Sequence, residues 1–450
     1  MNFSELFKQS GQLCKFSPDG KYLANAVQYR LIVRDVKSLQ ITQLYTCLDA
    51  IHSCLVHFPF PILFMAFMSQ VWSLEEPEWT CKIDEGSAGL TDVRWSPDGR
   101  HVLTTADFQL RITVWSLLNK SVSYIKYPKQ CQKGIDFSKG GKYMALAERR
   151  DCKDYISIFV CSTWLLVKHF NTDTEDLAGL EWSPDSRVLA VWDSCLQYKL
   201  MLYSVDGRCL ATYKAYDFAL GIKSIAWSPT SQFLAIGSYD QKVRILNHIT
   251  WKTVAEHDHP ATMENNNVVA YREVEMKPNV QLEFPISQQT FSIQSKYEVI
   301  EGLTMVPLIK PDLNKANPRL GVGTVSFSPD NKYMYTRNDN MPHALWIWDV
   351  MRLNLVVVLI QVNPIRCKRW PTFQYLSVSW DTCNTRLALC TASNKVFMWS
   401  PAGSLSVEVP AEASFQISSL KWHPDGNALL LMGKDQMCMC FLAEESDGAA

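Results

Sequence analysis

A short signature recurs along this chain and restricts its fold more than any other feature: an aromatic residue, then Ser, Pro, an Asp or Thr and a turn residue. It begins at Phe16, Trp95, Trp182, Trp227 and Phe327, and in altered form at Phe137 (FSKGG), Trp380 (WDTCN) and Trp422 (WHPDG). After each copy come an apolar strand, a polar turn and an alternating strand. These last strands close on Arg34, Trp115, Phe159, Tyr203, Leu246, Trp348, Trp399 and Phe441. A further closing strand, Gln70-Val71-Trp72-Ser73, has no signature before it. A pattern of this kind cannot bury its apolar residues one unit at a time, so the units must pack on one another.

Most closing residues follow one another at about 40 to 45 residues, the spacing of four-stranded propeller blades. Asp-Gly or Asn-Lys after Ser-Pro suits a tight hairpin between the first two strands of a blade. Outer strands are expected at 39–45, 122–127, 165–170, 210–213 and 355–360. The last unit lacks one, because the chain after Phe441 reads LAEESDGAA. The N-terminal stretch from Phe3 to Gln9 otherwise has no unit to join, and an open sheet edge is a liability. The expected fold is therefore all-β: a single ring of about nine four-stranded blades over residues 1–450, closed by the N-terminal strand.

Two segments break the pattern. The step from Leu246 to Trp348 spans 102 residues and places an insertion at about 258–318. Its prolines at 260, 278, 285, 307 and 311 and the run Asn265-Asn266-Asn267 suit a long flexible loop, with extra strands or a degenerate blade as the alternative. An irregular blade is expected at about 46–74, where PFPILFMAFM replaces the polar hairpin. It reads as a divergent blade buried on both faces, as an exposed apolar binding patch, or as an alternative exon in place of the ancestral segment.

Apolar residues make up 47% of the chain, with 15 Trp, which is enough for a large core. The formal net charge of −1 gives none of the basic excess of a dedicated nucleic-acid binder, so protein partners are expected and nucleic acid is not. The N-terminus lacks a basic segment followed by an apolar core, which predicts a chain outside the secretory route. The longest apolar run, Cys54 to Met68, is too short to span a bilayer and carries Pro59 and Pro61. The 14 cysteines sit mostly in apolar stretches and read as reduced.

The sequence offers no Gly-x-Ser-x-Gly, no His-Glu-x-x-His and no phosphate loop, so neither enzymatic chemistry nor a small-molecule substrate or cofactor is expected. Cys438 and Cys440 share one strand face and read as core residues rather than metal ligands. The cluster His257, Asp258, His259 reads as a solvated loop, and the basic stretch from Arg366 to Trp370 as a solvent-facing charge run.

The units resemble the WD-repeat superfamily, although Gly-His is absent and Trp-Asp closes a blade only at Trp348-Asp349. Several stretches are similar, more narrowly, to a vertebrate family of centrosomal WD-repeat proteins: FSPDGKYLA at Phe16, ALAERRDCKDYISIFVC at Ala145, SYDQKVRILNHITWK at Ser238 and TRNDN at Thr336. The resemblance implies a scaffold at the centrosome, centriolar satellites and spindle poles. It would act in microtubule anchoring, spindle assembly and ciliogenesis with a coiled-coil, microtubule-anchoring partner. One rival reading is a ubiquitin-ligase substrate receptor, against which Arg352 stands one position late after Trp348-Asp349. Another is a translation-factor-like propeller binding RNA or ribosome, against which the near-neutral charge argues.

In such a fold the second-to-third-strand turns and the connections from each outer strand to the next blade emerge together. On that face the candidates for partner binding are Arg149, Arg150, Lys153, Asp173, Glu175, Asp176, Asp193, Tyr239 and Asp240, with no catalytic, cofactor or metal residue expected.

Overall fold

The computed structural model describes residues 1–47, 51, 54–57, 62–65, 69–74, 76, 78–86, 89–106, 110–264, 268–275, 295–312, 314, 317–365, 368–369, 374–375, 377–410 and 415–442. Its described residues form strands and turns. Among the described residues no helix is long and apolar enough to cross a membrane. Each closing residue of the sequence pattern sits in an antiparallel meander, and the blades are named below by those residues.

The signature folds because its serine serves two neighbours. In the Arg34 blade the Ser17 hydroxyl donates to Asp19 at 2.5 Å and accepts the Tyr22 N–H at 2.9 Å, which locks the turn between the first two strands. Ser183 with Asp185 and Val188, and Ser328 with Asp330 and Tyr333, repeat this arrangement. Where the signature is degraded at Trp380, a carboxylate takes over the accepting role of the serine. Asp381 stands in the serine position, buried, and accepts from the Cys383 N–H at 3.1 Å and from Arg386 Nε at 2.8 Å.

Residues Leu13–Glu256 form one compact unit, with the Arg34, Trp72, Trp115, Phe159, Tyr203 and Leu246 blades. Inner strands such as Val188–Asp193 are buried on both sides, because neighbouring sheets pack on each face, while outer strands such as Leu166–Asn171 are mostly exposed. One core joins Ala145, Ile156 and Ile158 of the Phe159 blade to Leu180, Trp182 and Val191 of the Tyr203 blade. The Trp72 blade has the ordinary order, with strands Cys54–His57, Ile62–Met65, Ser69–Ser73 and Thr80–Ile83. Its side chains from 52 to 69, on which the choice between a buried blade and an exposed patch turns, lie outside the described residues.

Residues Met1–Gln12 and His257–Ala450 form the second unit, with the Trp348, Trp399 and Phe441 blades. The N-terminus supplies the outer strand of the Phe441 blade as the sequence predicts, in two pieces. Asn2 and Phe3 pair with Phe441 and Cys440, and Phe7 and Lys8 with Met437 and Gln436. Gln9 caps this edge, its Nε2 donating to the carbonyls of Gly433 and Gln436 at 3.0 Å. Cys438 and Cys440 are buried in that blade, and burial pushes the Cys440 thiol up to about 12, which keeps it protonated.

The insertion forms extra strands, the alternative to the long loop in the sequence reading. Thr262–Glu264 pairs with Leu303–Met305, and Val269–Glu275 pairs with Ser295–Ile300. The strand Val269–Glu275 then adds in parallel to the outer strand Asn354–Ile360, with Val269 opposite Val357 and Arg272 opposite Ile360, which extends the Trp348 blade to six strands. The physical reason lies in the outer strand itself, NLVVVLI, whose Val357 to Ile360 are buried. An edge this apolar needs a cover, and Pro260, Pro307 and Pro311 fall outside the described strands of the insertion. Residues 265–267 and 276–294 lie outside the described residues.

His257 and His259, placed in a solvated loop by the sequence reading, are instead buried. His257 stacks on Trp348 with ring centroids 4.4 Å apart. His259 Nε2 lies 2.7 Å from the Thr336 hydroxyl, which also accepts from Trp348 Nε1 at 2.8 Å. Thr104 accepts from Trp115 in the same way. Burial holds the His257 imidazole below its ordinary 6.5, against an opposing effect of Asp258. The unfolded chain therefore takes up a proton near pH 6.5 that the folded chain refuses, so stability is lost as pH falls through that value. One such histidine contributes at most about 1.4 kcal/mol per pH unit. The melting temperature should fall from about pH 7.5 to about pH 5.5, and His257→Phe should flatten that slope; equal slopes in the two proteins would refute the assignment.

Candidate protein-docking face

Four consecutive turns and connections in the Leu13–Glu256 unit assemble one surface, and backbone bonds tie each to the next. Ser194 N donates to the Asp176 carbonyl at 2.9 Å, Gly221 N to the Cys195 carbonyl at 2.8 Å, and Tyr239 N to the Gly221 carbonyl at 3.1 Å. The sequence expectation that these turns emerge together holds for this part of the molecule. Gly221 is required there, since a Cβ would meet the Gln197 carbonyl oxygen at 2.5 Å.

The candidate residues divide by what they touch. Arg149 and Arg150 end the strand Tyr143–Arg150, and Lys153 begins the strand Lys153–Val160. Arg149 Nη1 donates to Asp154 at 3.1 Å and to Asp176 at 2.9 Å, while Lys129 Nζ reaches the same two carboxylates at 2.9 and 2.7 Å. The hydrogen bond from Lys129 leads in holding the Asp176 carboxyl below the usual range, against a smaller desolvation effect. Arg150 pairs with Glu148 at 3.2 Å and lies over the Tyr127 ring. Lys153, Asp173, Glu175 and Asp176 are exposed.

Asp193, Tyr239 and Asp240 serve the scaffold. Buried Asp193 accepts the N–H groups of Glu175 at 3.0 Å and of Asp176 and Ser194 at 2.9 Å, so it grips the connection that carries the exposed acids. Tyr239 is buried beneath Lys223. Asp240 accepts from Arg244 Nη2 at 2.6 Å, and Arg244 also holds Glu256 at 2.9 Å. Asp193 and Tyr239 are corrections to the expectation of a solvent-facing rim, since the turns bury the carboxylate of one and the ring of the other, and Asp240 is partly covered by its ion pair with Arg244. Sequence reasoning missed Lys129 and Asp154, which organise the charges, and Leu196 and Phe218, which stand out from the surface.

The arrangement presents charged and apolar groups together at the surface. Among the described residues no group of three or more His, Cys, Asp and Glu has metal-site geometry. A repeat model described as WD domain, G-beta repeat matches residues 78–113 and 207–247. The C-terminal WD40 domain of Sif2 superposes with a TM-score of 0.54 at 10% identity, covering 98% of this chain and 99% of that domain, a likeness of fold alone. Repeat and blades together define an all-β propeller of the WD type, a class of protein-interaction scaffolds with no enzymatic family indicated.

An uncharacterized WD repeat-containing protein of Schizosaccharomyces pombe is 23% identical over 80% of this chain and 73% of its own length. Mouse WD repeat-containing protein WRAP73 is 55% identical over 98% of this chain and 96% of its own length. The chain belongs to the WRAP73 family of WD repeat-containing proteins.

Proposed function

We propose that the chain is a non-catalytic scaffold of the centrosome and centriolar satellites, where it supports microtubule anchoring at spindle poles, spindle assembly and ciliogenesis with a coiled-coil partner. The observation that carries this reading is the relation to WRAP73 over nearly the whole length, together with the quoted stretches that resemble a centrosomal family. The face built by Arg149, Lys153, Asp173, Glu175 and Asp176 suits a protein partner, since its charged groups are held in place before binding.

The test is localisation in ciliated cells. A fluorescently tagged chain should concentrate at the centrosome in interphase and at spindle poles in mitosis. Depletion of the endogenous protein should reduce the ciliated fraction and be rescued by the tagged chain. A uniform cytoplasmic distribution, with ciliation unchanged on depletion, would sink the proposal.

A further inference from the structure

Phe218 is fully exposed, at 107% of its reference area, in a protein whose other aromatic side chains mostly find cover. It lies in the connection between Cys209–Tyr213 and Ile222–Trp227, with φ at 63°, a left-handed conformation that bulky residues seldom adopt. The loop beneath it is tied down. The Tyr216 hydroxyl donates to the Leu220 carbonyl at 2.5 Å, the Tyr216 ring meets buried Tyr198 edge-on at 4.7 Å, and Arg244 lies over both rings. Leu196, 73% exposed, projects from the adjoining turn, whose Cys195 carbonyl accepts the Gly221 N–H. Two large apolar side chains thus stand in water on loops that are already ordered.

The surroundings carry a sign. Asp173 is 90% exposed, Asp176 and Asp217 are each 61% exposed, and Glu175 is exposed beside them, its carboxylate accepting from Gln197 Nε2 at 3.2 Å. Of the cations that meet these acids, Lys199 and Lys129 are turned inward onto Asp173 and Asp176, Arg149 lies half-buried on Asp176, and Lys214, 3.6 Å from Asp217, is the best exposed of the four. These acids are more exposed than the cations they meet, which gives the apolar pair an acidic border. An exposed aromatic on a pre-ordered loop costs little further entropy when it enters a pocket, and desolvation there is most favourable when the rim charges are complementary.

We infer that Phe218 and Leu196 form the anchor of a docking site for a protein segment that presents an apolar socket bordered by lysine or arginine side chains. This rests on the scaffold reading and names the partner chemistry of the same face. The test uses the full chain and two synthetic amphipathic helices with one leucine stripe, one carrying lysine and the other glutamate on the polar face. The lysine helix should bind at least about tenfold tighter, and Phe218→Ala should weaken its binding by about thirtyfold, the loss typical of a hot-spot residue. Phe218→Trp should retain binding. Because Phe218 packs on nothing, the alanine variant should melt with the native protein.

Equal binding of the two helices would overturn the inference, as would an alanine variant within about threefold of native. So would concentration-dependent self-association that Phe218→Ala abolishes, which would assign the site to a second copy of the chain. A chain that concentrates at the centrosome but fails the helix test removes this inference and leaves the functional proposal standing.

Discussion

Replacing residues 265–302 by an Asn-Gly turn should lower the melting temperature by about 10 °C or more and leave a protein that self-associates. The splice is geometrically permitted, because Glu264 and Leu303 face each other in an antiparallel pair and a two-residue turn can join them. What is lost is the hairpin of Val269–Glu275 and Ser295–Ile300. With it go the parallel ladder on Asn354–Ile360, the buried Ala270, and Tyr297, whose ring meets Phe397 at 5.5 Å and whose hydroxyl accepts from Gln361. Buried Glu273 also goes, and with it the acceptor of the Val362 N–H at 2.9 Å and a carboxylate 4.0 Å from Lys395. Emptying one large aromatic site costs about 3 to 5 kcal/mol, and large domains lose roughly 2 to 4 °C per kcal/mol. The uncovered strand would present Val357 to Ile360 on an open edge, the geometry that recruits other strands. Differential scanning calorimetry and size-exclusion chromatography read both effects. A monodisperse variant that melts within about 3 °C of the native chain would mean that the hairpin is an ornament.

The same hairpin marks where sequence reading ran short. Repeat period, signature and closing strand sufficed to place the blade strands, because each is a local consequence of alternation and turn chemistry. They also sufficed to assign the N-terminus to the last blade, where the missing outer strand left a vacancy that Phe3, Phe7 and Lys8 could fill. The insertion carries no copy of the signature, and its asparagines and prolines dominate a composition-based view. The alternation in VAYREVE and the unusually apolar NLVVVLI were both present in the sequence. Their pairing is parallel and joins residues far apart in the chain, so no local rule links them.

At the docking face, charge was legible and its destination was not. Asp173, Glu175 and Asp176 lie in a loop, as their composition implies. Asp193 and Tyr239 sit at turns too, yet the turn geometry consumes one carboxylate and buries the other residue's ring. Asp154 did leave a trace, since in KDYISIFV it keeps phase with Ile156 and Ile158, both of which point into the core. An acid in phase with core residues needs a buried cation, and Lys129, 25 residues earlier in the chain, is found only once the sheets are assembled. Phe218 left no trace, because an exposed aromatic and a core aromatic are the same letter.

That acid carries the largest single-residue effect expected in the molecule. The Asp154 side chain is wholly buried and the Lys129 side chain only 5% exposed, so each neutralises the other away from water. The carboxylate also accepts from Arg149 at 3.1 Å, from the Leu177 N–H at 2.6 Å and from the Thr174 hydroxyl at 3.2 Å. Asp154→Ala should cost about 3 to 5 kcal/mol, since it leaves the buried Lys129 ammonium with Asp176 as its remaining carboxylate and a buried N–H without an acceptor. Asp154→Asn keeps an oxygen for Leu177 and should cost less. Much of the cost of Asp154→Ala lies in the buried cation left with one exposed carboxylate in place of two partners, so adding Lys129→Met should restore part of the lost stability rather than add to the loss. Denaturant titration of the two single variants and the double variant measures this coupling directly. Strictly additive losses would show that Lys129 and Asp154 stabilise the blade independently, and that the charges of this face are organised by something other than their pairing.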